Sequence, residues 1–293
     1  MNRQAEMVFW DVQHGHSTYI KTPNGRHIII DLGTGNYSER DQDFSPLKHL
    51  KHQCGVQQLD YVVITHPHLD HIEDILNFDL LSPKALHLPI QLTNTEVMEG
   101  VQYKDLAKFK KYCEINDRYN RTIGEDSMDN TSNPNNWGGL KIQTFAPQNC
   151  SHDNFNNHSI ITVFEYAGIK VVIPGDNEKA SFDELFHRYS NSFKNAIKDA
   201  YVLLAPHHGR ESGYHDDFIK LVNPRITIIS DSSKKDTSAT ADYSRIGRGW
   251  KVFSRCDNAS QQRKTLSTYN DGVISIKIGY DNTNRLFLNI TKK

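Results

Sequence analysis

Short apolar segments separated by turn residues run through the first third of the chain, and they read as strands. Met7–Val12 is apolar and extended, His14-Gly15-His16 is a turn, and Thr18–Thr22 is predicted to be a second strand. Pro23-Asn24-Gly25 is a strong turn signal, so Arg26–Asp31 is expected to return as a hairpin partner. Gly33–Asp43 is polar and reads as a loop. Ser45 caps and Pro46 opens a short helix to Lys51. Leu59–Ile64 is an apolar, β-branched run that predicts a buried strand, with a helix from Ile72 onward.

Between residues 93 and 138 the pattern changes. Val101–Asn120 is a charged amphipathic helix by its spacing, and Asp126–Trp137 is polar and rich in Asn and Ser. This stretch reads as an insertion in a single domain that spans residues 1–293. Beyond it, Leu140–Phe145, Ser159–Tyr166 and Lys170–Pro174 are predicted strands, with Ala167-Gly168 as a tight turn between the last two. Ser181–Tyr189 and Asp216–Val222 read as helices; Tyr201–Ala205 and Arg225–Ser230 read as strands. Repeated strand–helix units in both halves predict two sheets with helices on their outer faces.

Composition narrows the class. The 293 residues suffice for a sizeable core, and 37% hydrophobic with 24% charged residues is a globular balance. No apolar run approaches the roughly 20 residues that cross a bilayer. The start, Met1 to Glu6, lacks the apolar stretch of a secretory signal, so the expected location is the cytoplasm. Cys54, Cys113, Cys150 and Cys256 form no C-x-x-C pair and read as reduced thiols. A formal net charge of −1 opposes a strong whole-molecule field for nucleic acid.

The candidate chemistry sits after the strand at Leu59–Ile64. Thr65-His66-Pro67-His68-Leu69-Asp70-His71 brings three imidazoles and a carboxylate to a strand end. Borderline nitrogens with a hard oxygen suit zinc, manganese or iron. The H-x-H-x-D-H pattern resembles the signature of the metallo-β-lactamase superfamily. Asp31, at the end of Ile28-Ile29-Ile30, and Pro174-Gly175-Asp176 extend the resemblance, in order. Pro206-His207-His208-Gly209 and the opening turn Asp11-Val12-Gln13-His14-Gly15-His16 resemble the branch typified by the hydrolase-like domain of the competence-channel protein ComEC. The likeness runs from Val8 to Ile278.

The resemblance implies a four-layer αββα sandwich with two mixed sheets packed face to face. It also implies two divalent metal ions, zinc or manganese, that activate a hydroxide for hydrolysis. Carried over by position, His66 and His68 hold the first metal, Asp70 and His71 the second, and Asp176 bridges them. Asp70 also positions the nucleophile. A further ligand for the first metal is expected at His158, where the ComEC branch often has asparagine. Of the adjacent pair, one histidine is expected to bind the second metal and the other to donate a proton or steady a phosphate oxygen. The sequence does not divide the roles; the reading assigns His207 to the metal and His208 to catalysis. ComEC-like chains often carry a later histidine, but none follows His215 here, which leaves Asp231 and Asp236 as candidate replacements. His14 and His16 are expected at the pocket rim, against substrate or simply in the turn. The remaining histidines, His152 among them, read as surface or packing residues.

From Ser244 to Lys264 the bases Arg245, Arg248, Lys251, Arg255, Arg263 and Lys264 interleave with Trp250 and Phe253. Such a mixture suits a phosphate backbone and stacked bases, with Arg248, Lys251 and Arg255 as substrate contacts. The leading expectation is therefore a metal-dependent phosphodiesterase, a nuclease acting on single-stranded or opened DNA or RNA, without membrane association. The alternatives are a hydrolase of a small ester or lactone and a non-catalytic binding or regulatory protein that keeps the fold.

Overall fold

Side chains on a strand alternate between two faces, and here that alternation sorts the apolar residues into three cores. The structure, a computed structural model, describes residues 4–36, 41, 43–231 and 238–293. The chain opens with β1 (Gln4–Phe9), β2 (Thr18–Lys21) and β3 (His27–Ile30), an antiparallel run. Then follow α1 (Pro46–His52), β4 (Tyr61–Val63), α2 (Leu69–Ile72), β5 (Ala85–His87), α3 (Asn94–Met98) and α4 (Leu106–Arg118). The second half contributes β6 (Lys141–Phe145), β7 (Ile161–Tyr166), β8 (Ile169–Ile173), α5 (Lys179–Arg188), α6 (Ser190–Ile197), β9 (Val202–Leu204), α7 (Asp216–Val222) and β10 (Ile226–Ile229). The last stretch runs through α8 (Thr240–Ile246), β11 (Trp250–Ser254), β12 (Ala259–Arg263), β13 (Thr265–Ser267), α9 (Thr268–Asp271), β14 (Ile274–Tyr280) and β15 (Leu286–Lys292).

Two sheets result, in the orders β12-β11-β15-β14-β1-β2-β3-β4-β5 and β13-β10-β9-β8-β7-β6. Between them lies the largest core. Ala5, Met7 and Phe9 of β1, Ile28 and Ile30 of β3, and Val171 and Ile173 of β8 all point into it. The residues in between point outward. Ile29 and Val62 meet Leu47 and Leu50 of α1 and Tyr112 and Ile115 of α4. Val172, Leu203 and Ile229 meet Phe182 of α5, Phe193 of α6 and Phe218 of α7. Helix, sheet, sheet and helix stack as four layers, the order that the resemblance implied. No helix among the described residues is long and apolar enough to cross a membrane.

Several boundaries differ from the sequence pattern. The first strand begins at Gln4 rather than Met7 and ends at Phe9, because Ala5, Met7 and Phe9 are the residues that face the inter-sheet core. The segment read as one helix over Val101–Asn120 begins instead as a 3-10 turn at Tyr103–Asp105 and continues as α4. Ser45 caps α1 as expected, its hydroxyl accepting from the Lys48 amide at 3.1 Å. Trp137, at the end of the polar middle stretch, is fully buried between the sheets under the Arg26 guanidinium, 4.1 Å from the ring centroid.

Strand direction places the site. β3, β4 and β5 run parallel, as do β8, β9, β10 and β13. Their carboxyl ends open into the loops that carry the candidate residues, as is usual for parallel strands of open α/β sheets.

Candidate metal centre

Three sharp turns aim the side chains. Asp31 follows β3 with a φ of 60°, and His207 and His208 follow β9 with φ of 47° and 54°. Gly175 follows β8 with a φ of 59°, and a Cβ there would stand 2.9 Å from Ser159 Cβ and Thr65 Cβ. Only glycine lets this loop pass so close to the strand-end Thr65 while presenting Asp176. His68 stands just before α2, and Asp70 and His71 lie in its single turn.

Asp176 is the hub. Its Oδ1 lies 3.3 Å from His71 Nε2, and its Oδ2 lies 3.3 Å from His208 Nε2 and 3.9 Å from His66 Nε2. His66 Nε2 and His68 Nδ1 are 2.9 Å apart. Asp70 Oδ2 is 3.3 Å from His208 Nε2 and 4.0 Å from His71 Nε2. Two donors about 2.1 Å from one cation in tetrahedral geometry are themselves about 3.4 Å apart, so these spacings fit ligands that share an ion. His71 Nε2 and His208 Nε2 are buried and lack a hydrogen-bond partner among the described residues; the carboxylate oxygens at 3.3 Å lie off the hydrogen-bonding line. Buried polar atoms are costly to leave unsatisfied, and a divalent cation would satisfy both. The donor set and the orphaned nitrogens fit a metal. His66, His68 and Asp176 would hold one ion, and Asp70, His71, His208 and Asp176 a second.

Outer partners orient these donors. Asp31, fully buried, accepts from the Thr65 amide at 2.6 Å, the Thr65 hydroxyl at 2.8 Å, His71 Nδ1 at 2.8 Å and His16 Nδ1 at 3.0 Å. With Nδ1–H given to Asp31, the Nε2 lone pair of His71 faces the cluster. Burial opposes ionisation of Asp31, but His71 and His16 outweigh it and hold the carboxyl well below the usual range. His208 Nδ1 donates to the Ser230 carbonyl at 3.1 Å, which likewise turns its Nε2 inward. Burial works to lower the His208 pKa, but Asp176 and Asp70 raise it to about 9. His71 is raised well above the ordinary value by Asp176, Asp31 and Asp70 against the same burial penalty. A cation entering the cluster therefore competes with protons on both rings. Burial, with His71 and His68 adding repulsion, keeps His66 neutral.

The structure corrects four sequence expectations. His207 stands at the edge of the cluster with both nitrogens already engaged: its Nε2, 3.9 Å from Asp176 Oδ2, accepts from Arg210 Nη1 at 2.9 Å, and its Nδ1 meets Ser212 Oγ at 2.9 Å and Glu178 Oε1 at 3.0 Å. His208 takes the position assigned to His207, because the two consecutive left-handed residues break the alternation of a strand. His158 is also excluded. It ends a 3-10 turn, Phe155–His158, and its Nε2 meets the Ser151 carbonyl at 3.2 Å, beside His152. Residues two apart on such a turn point in different directions. Asn156 therefore faces the cleft instead, with its buried Oδ1 unpartnered among the described residues. Arg248, Lys251 and Arg255 line no part of the cleft. Arg248 precedes β11, and Lys251 and Arg255 lie on and just after it. Three strand steps separate β11 from β1, the nearest strand of that sheet whose following loop lines the cleft, about 14 Å at the usual spacing. Finally, His16 is buried behind Asp31, bonded to Thr18 Oγ1 at 2.8 Å, while His14 alone of that pair lines the cleft.

Asp231 is buried with its amide on Thr268 Oγ1 at 3.0 Å and belongs to none of the His/Asp clusters among the described residues. Asp236 lies outside the described residues. The second ion would need neither, since His208 supplies the fourth donor. Arg210 is the residue that sequence reasoning missed. It directly follows Pro206-His207-His208-Gly209, and its guanidinium lines the cleft, bonded to His207 and, at 3.1 Å, to His14 Nε2. The cleft, about 630 Å³, is bounded mainly by polar side chains, Glu73 and Asn156 among them.

Comparison with known proteins finds a family likeness in the first third of the chain. Residues 10–104, which include Asp31 and the H-x-H-x-D-H loop, match the family model described as the metallo-beta-lactamase superfamily. Over that third of its length the chain is similar to the metallo-beta-lactamase superfamily. ComE operon protein 3 of Bacillus subtilis is 25% identical over 244 residues, 78% of this chain but 29% of its own length. A metal-dependent hydrolase of Roseiflexus castenholzii is 31% identical over 99 residues, 33% of this chain and 38% of its own. The chain thus spans well under half the length of these relatives. A solved structure described as a Zn-dependent hydrolase of the metallo-beta-lactamase superfamily, from Thermotoga maritima, aligns over 89% of this chain and 97% of its own, with 14% identity and a TM-score of 0.42.

Proposed function

We propose that this chain is a metal-dependent hydrolase that cleaves phosphodiesters, with single-stranded or opened DNA or RNA as the substrate class. The carrying observation is the shared hub: Asp176 stands between the His66–His68 pair and the Asp70–His71–His208 set on the wall of an open polar cleft. Two divalent cations, when bound, supply Lewis acidity and a water that ionises near neutral pH. The chain's own residues do the rest. Asp31 and the Ser230 carbonyl fix the ring orientations of His71 and His208. Asp176 and Asp70 hold the negative charge that retains the cations. Arg210 is steadied by two imidazoles. Burial lowers His14 to about 4 and lowers His207 as well, so both rings are neutral acceptors. A guanidinium so held would bind a non-bridging phosphate oxygen and stabilise charge that grows on it. That cation, in a polar cleft, favours an anionic diester over a neutral ester or lactone. The intact donor set argues against a non-catalytic role.

The test is metal analysis of the purified chain followed by hydrolysis assays with zinc and manganese on a phosphodiester, a carboxylic ester and a lactone. Asp176→Ala should abolish diester turnover, and Arg210→Ala should lower kcat/KM by about 100-fold. Hydrolysis confined to the ester or lactone would refute the phosphodiester reading, and the absence of both metal and rescuable activity would refute the hydrolase.

A further inference from the structure

Beside the metal cleft lies a second cavity of about 520 Å³ that shares His68, Leu69 and Asp70 with it. Its walls differ in kind. Val97 comes from α3, Val101 from the loop beyond, Phe109 from α4, and Phe155 from the turn that also carries Asn156. The Phe155 ring lies against His68, centroids 6.0 Å apart and planes at 30°, so an aromatic surface adjoins a candidate ligand of the first ion. The rim carries Gln102, Lys104 and Asp105, which offer donors and acceptors, next to Tyr103, which is 91% exposed. Segments that are otherwise remote in sequence thus meet to form an apolar slot with a polar edge, one side chain away from the proposed scissile position.

We infer that this slot is a substrate subsite that takes the nucleobase of the nucleotide attached to the scissile phosphate. A base is flat and apolar on its faces and polar on its edge. It is recognised by stacking between aromatic or apolar side chains with hydrogen bonds at the rim. The volume suits one nucleoside, within the usual range for small-molecule pockets. Continuity with the cleft through His68 and Asp70 lets the phosphate sit at the cations while the base enters the slot. The inference rests on the phosphodiesterase reading.

The experiment compares two diesters with the same leaving group: the p-nitrophenyl ester of thymidine 5′-monophosphate and methyl p-nitrophenyl phosphate. In both, water replaces p-nitrophenolate at phosphorus and leaves a phosphate monoester. With the metal-loaded chain, kcat/KM should be about ten- to a hundred-fold higher for the thymidine ester, the range that one stacked base contributes. Val101→Arg, and Val101→Phe as an uncharged control, fill the slot and should erase that preference with metal content unchanged. Equal kcat/KM for the two esters in the unmodified chain, or a preference that survives both substitutions, overturns the subsite while leaving the phosphodiesterase intact. Cleavage of neither ester overturns both.

Discussion

Replacing His208 by alanine tests the geometry most sharply, because the sequence assigned its metal role to its neighbour. His208 Nε2 sits 3.3 Å from both Asp70 and Asp176, so its loss removes one of four donors of the proposed second ion. The same carboxylates raise its pKa to about 9. At pH 7 roughly one ring in a hundred is then neutral, and displacing the proton offsets about 3 kcal/mol of the ligand's contribution. At pH 9 and above little of that cost remains. The ratio of zinc dissociation constants, variant over unmodified, should therefore rise about ten-fold per pH unit between pH 7 and 9 and level off beyond. His71 titrates in both proteins and cancels to first order. The assay is competitive titration of metal-depleted protein against a chelator, at constant ionic strength.

A stability readout follows from the same shift. The ring's pKa is raised in the fold above about 6.5 in the unfolded chain, so its interaction stabilises the metal-depleted protein fully below pH 6.5. That stabilisation, about 3 kcal/mol, is lost as pH rises through 9. His208→Ala should abolish that loss. A zinc ratio near one, or one that does not vary with pH, would refute the assignment of His208. Loss of zinc on His207→Ala instead would restore the sequence-based division of roles.

Three further outcomes are expected. Asp31→Asn should weaken the second ion by about 10–100-fold without unfolding the chain. An amide cannot accept from Thr65, His16 and His71 together; unchanged affinity in a metal titration would refute its orienting role. Asn156, whose unpartnered Oδ1 faces the cleft, is a further candidate donor for the first ion: Asn156→Ala should lower its occupancy after dialysis whereas His158→Ala should not, and elemental analysis with the opposite result would return His158 to the ligand set. Replacing Arg248, Lys251 and Arg255 together by alanine should leave kcat/KM on a small diester unchanged; a fall of more than a few-fold would show that the strip reaches the cleft.

Much of the fold was legible because period-two burial is written into the strands. Ile28-Ile29-Ile30 and Val171-Val172-Ile173 each carry apolar residues on both faces, which demands cover on both sides and so a sheet between a helical layer and another sheet. The candidate ligand set was half legible: His66, His68, Asp70 and His71 are local, and a strand followed by one helical turn suffices to converge them. What the pattern did not reveal was the far edge of the large sheet. β11, β12, β14 and β15 complete a sheet begun by β1, and that pairing joins residues at opposite ends of the chain, such as Met7 with Ile276. The basic strip was read as part of a binding site, whereas in the sheet it belongs to an edge that does not line the cleft.

The misassigned histidines share one physical cause. A motif names residue types and their order, whereas aim is set by backbone dihedrals that no spacing rule encodes. Had His207 and His208 continued β9, alternation would have sent one ring to the cleft and one to the helices. Two successive left-handed residues instead turn His208 onto the carboxylates and leave His207 beside Arg210. Non-glycine residues enter that region at a cost of about 1–2 kcal/mol each, so the turn persists only because its surroundings hold it. Here the His207 amide donates to the Gly175 carbonyl at 3.2 Å, which ties the turn after β9 to the turn that presents Asp176. The hub carboxylate and the fourth donor are thus positioned by one backbone contact between adjacent parallel strands. A single loop carrying all the candidate donors would lack that coupling between the turn of His208 and the turn of Asp176.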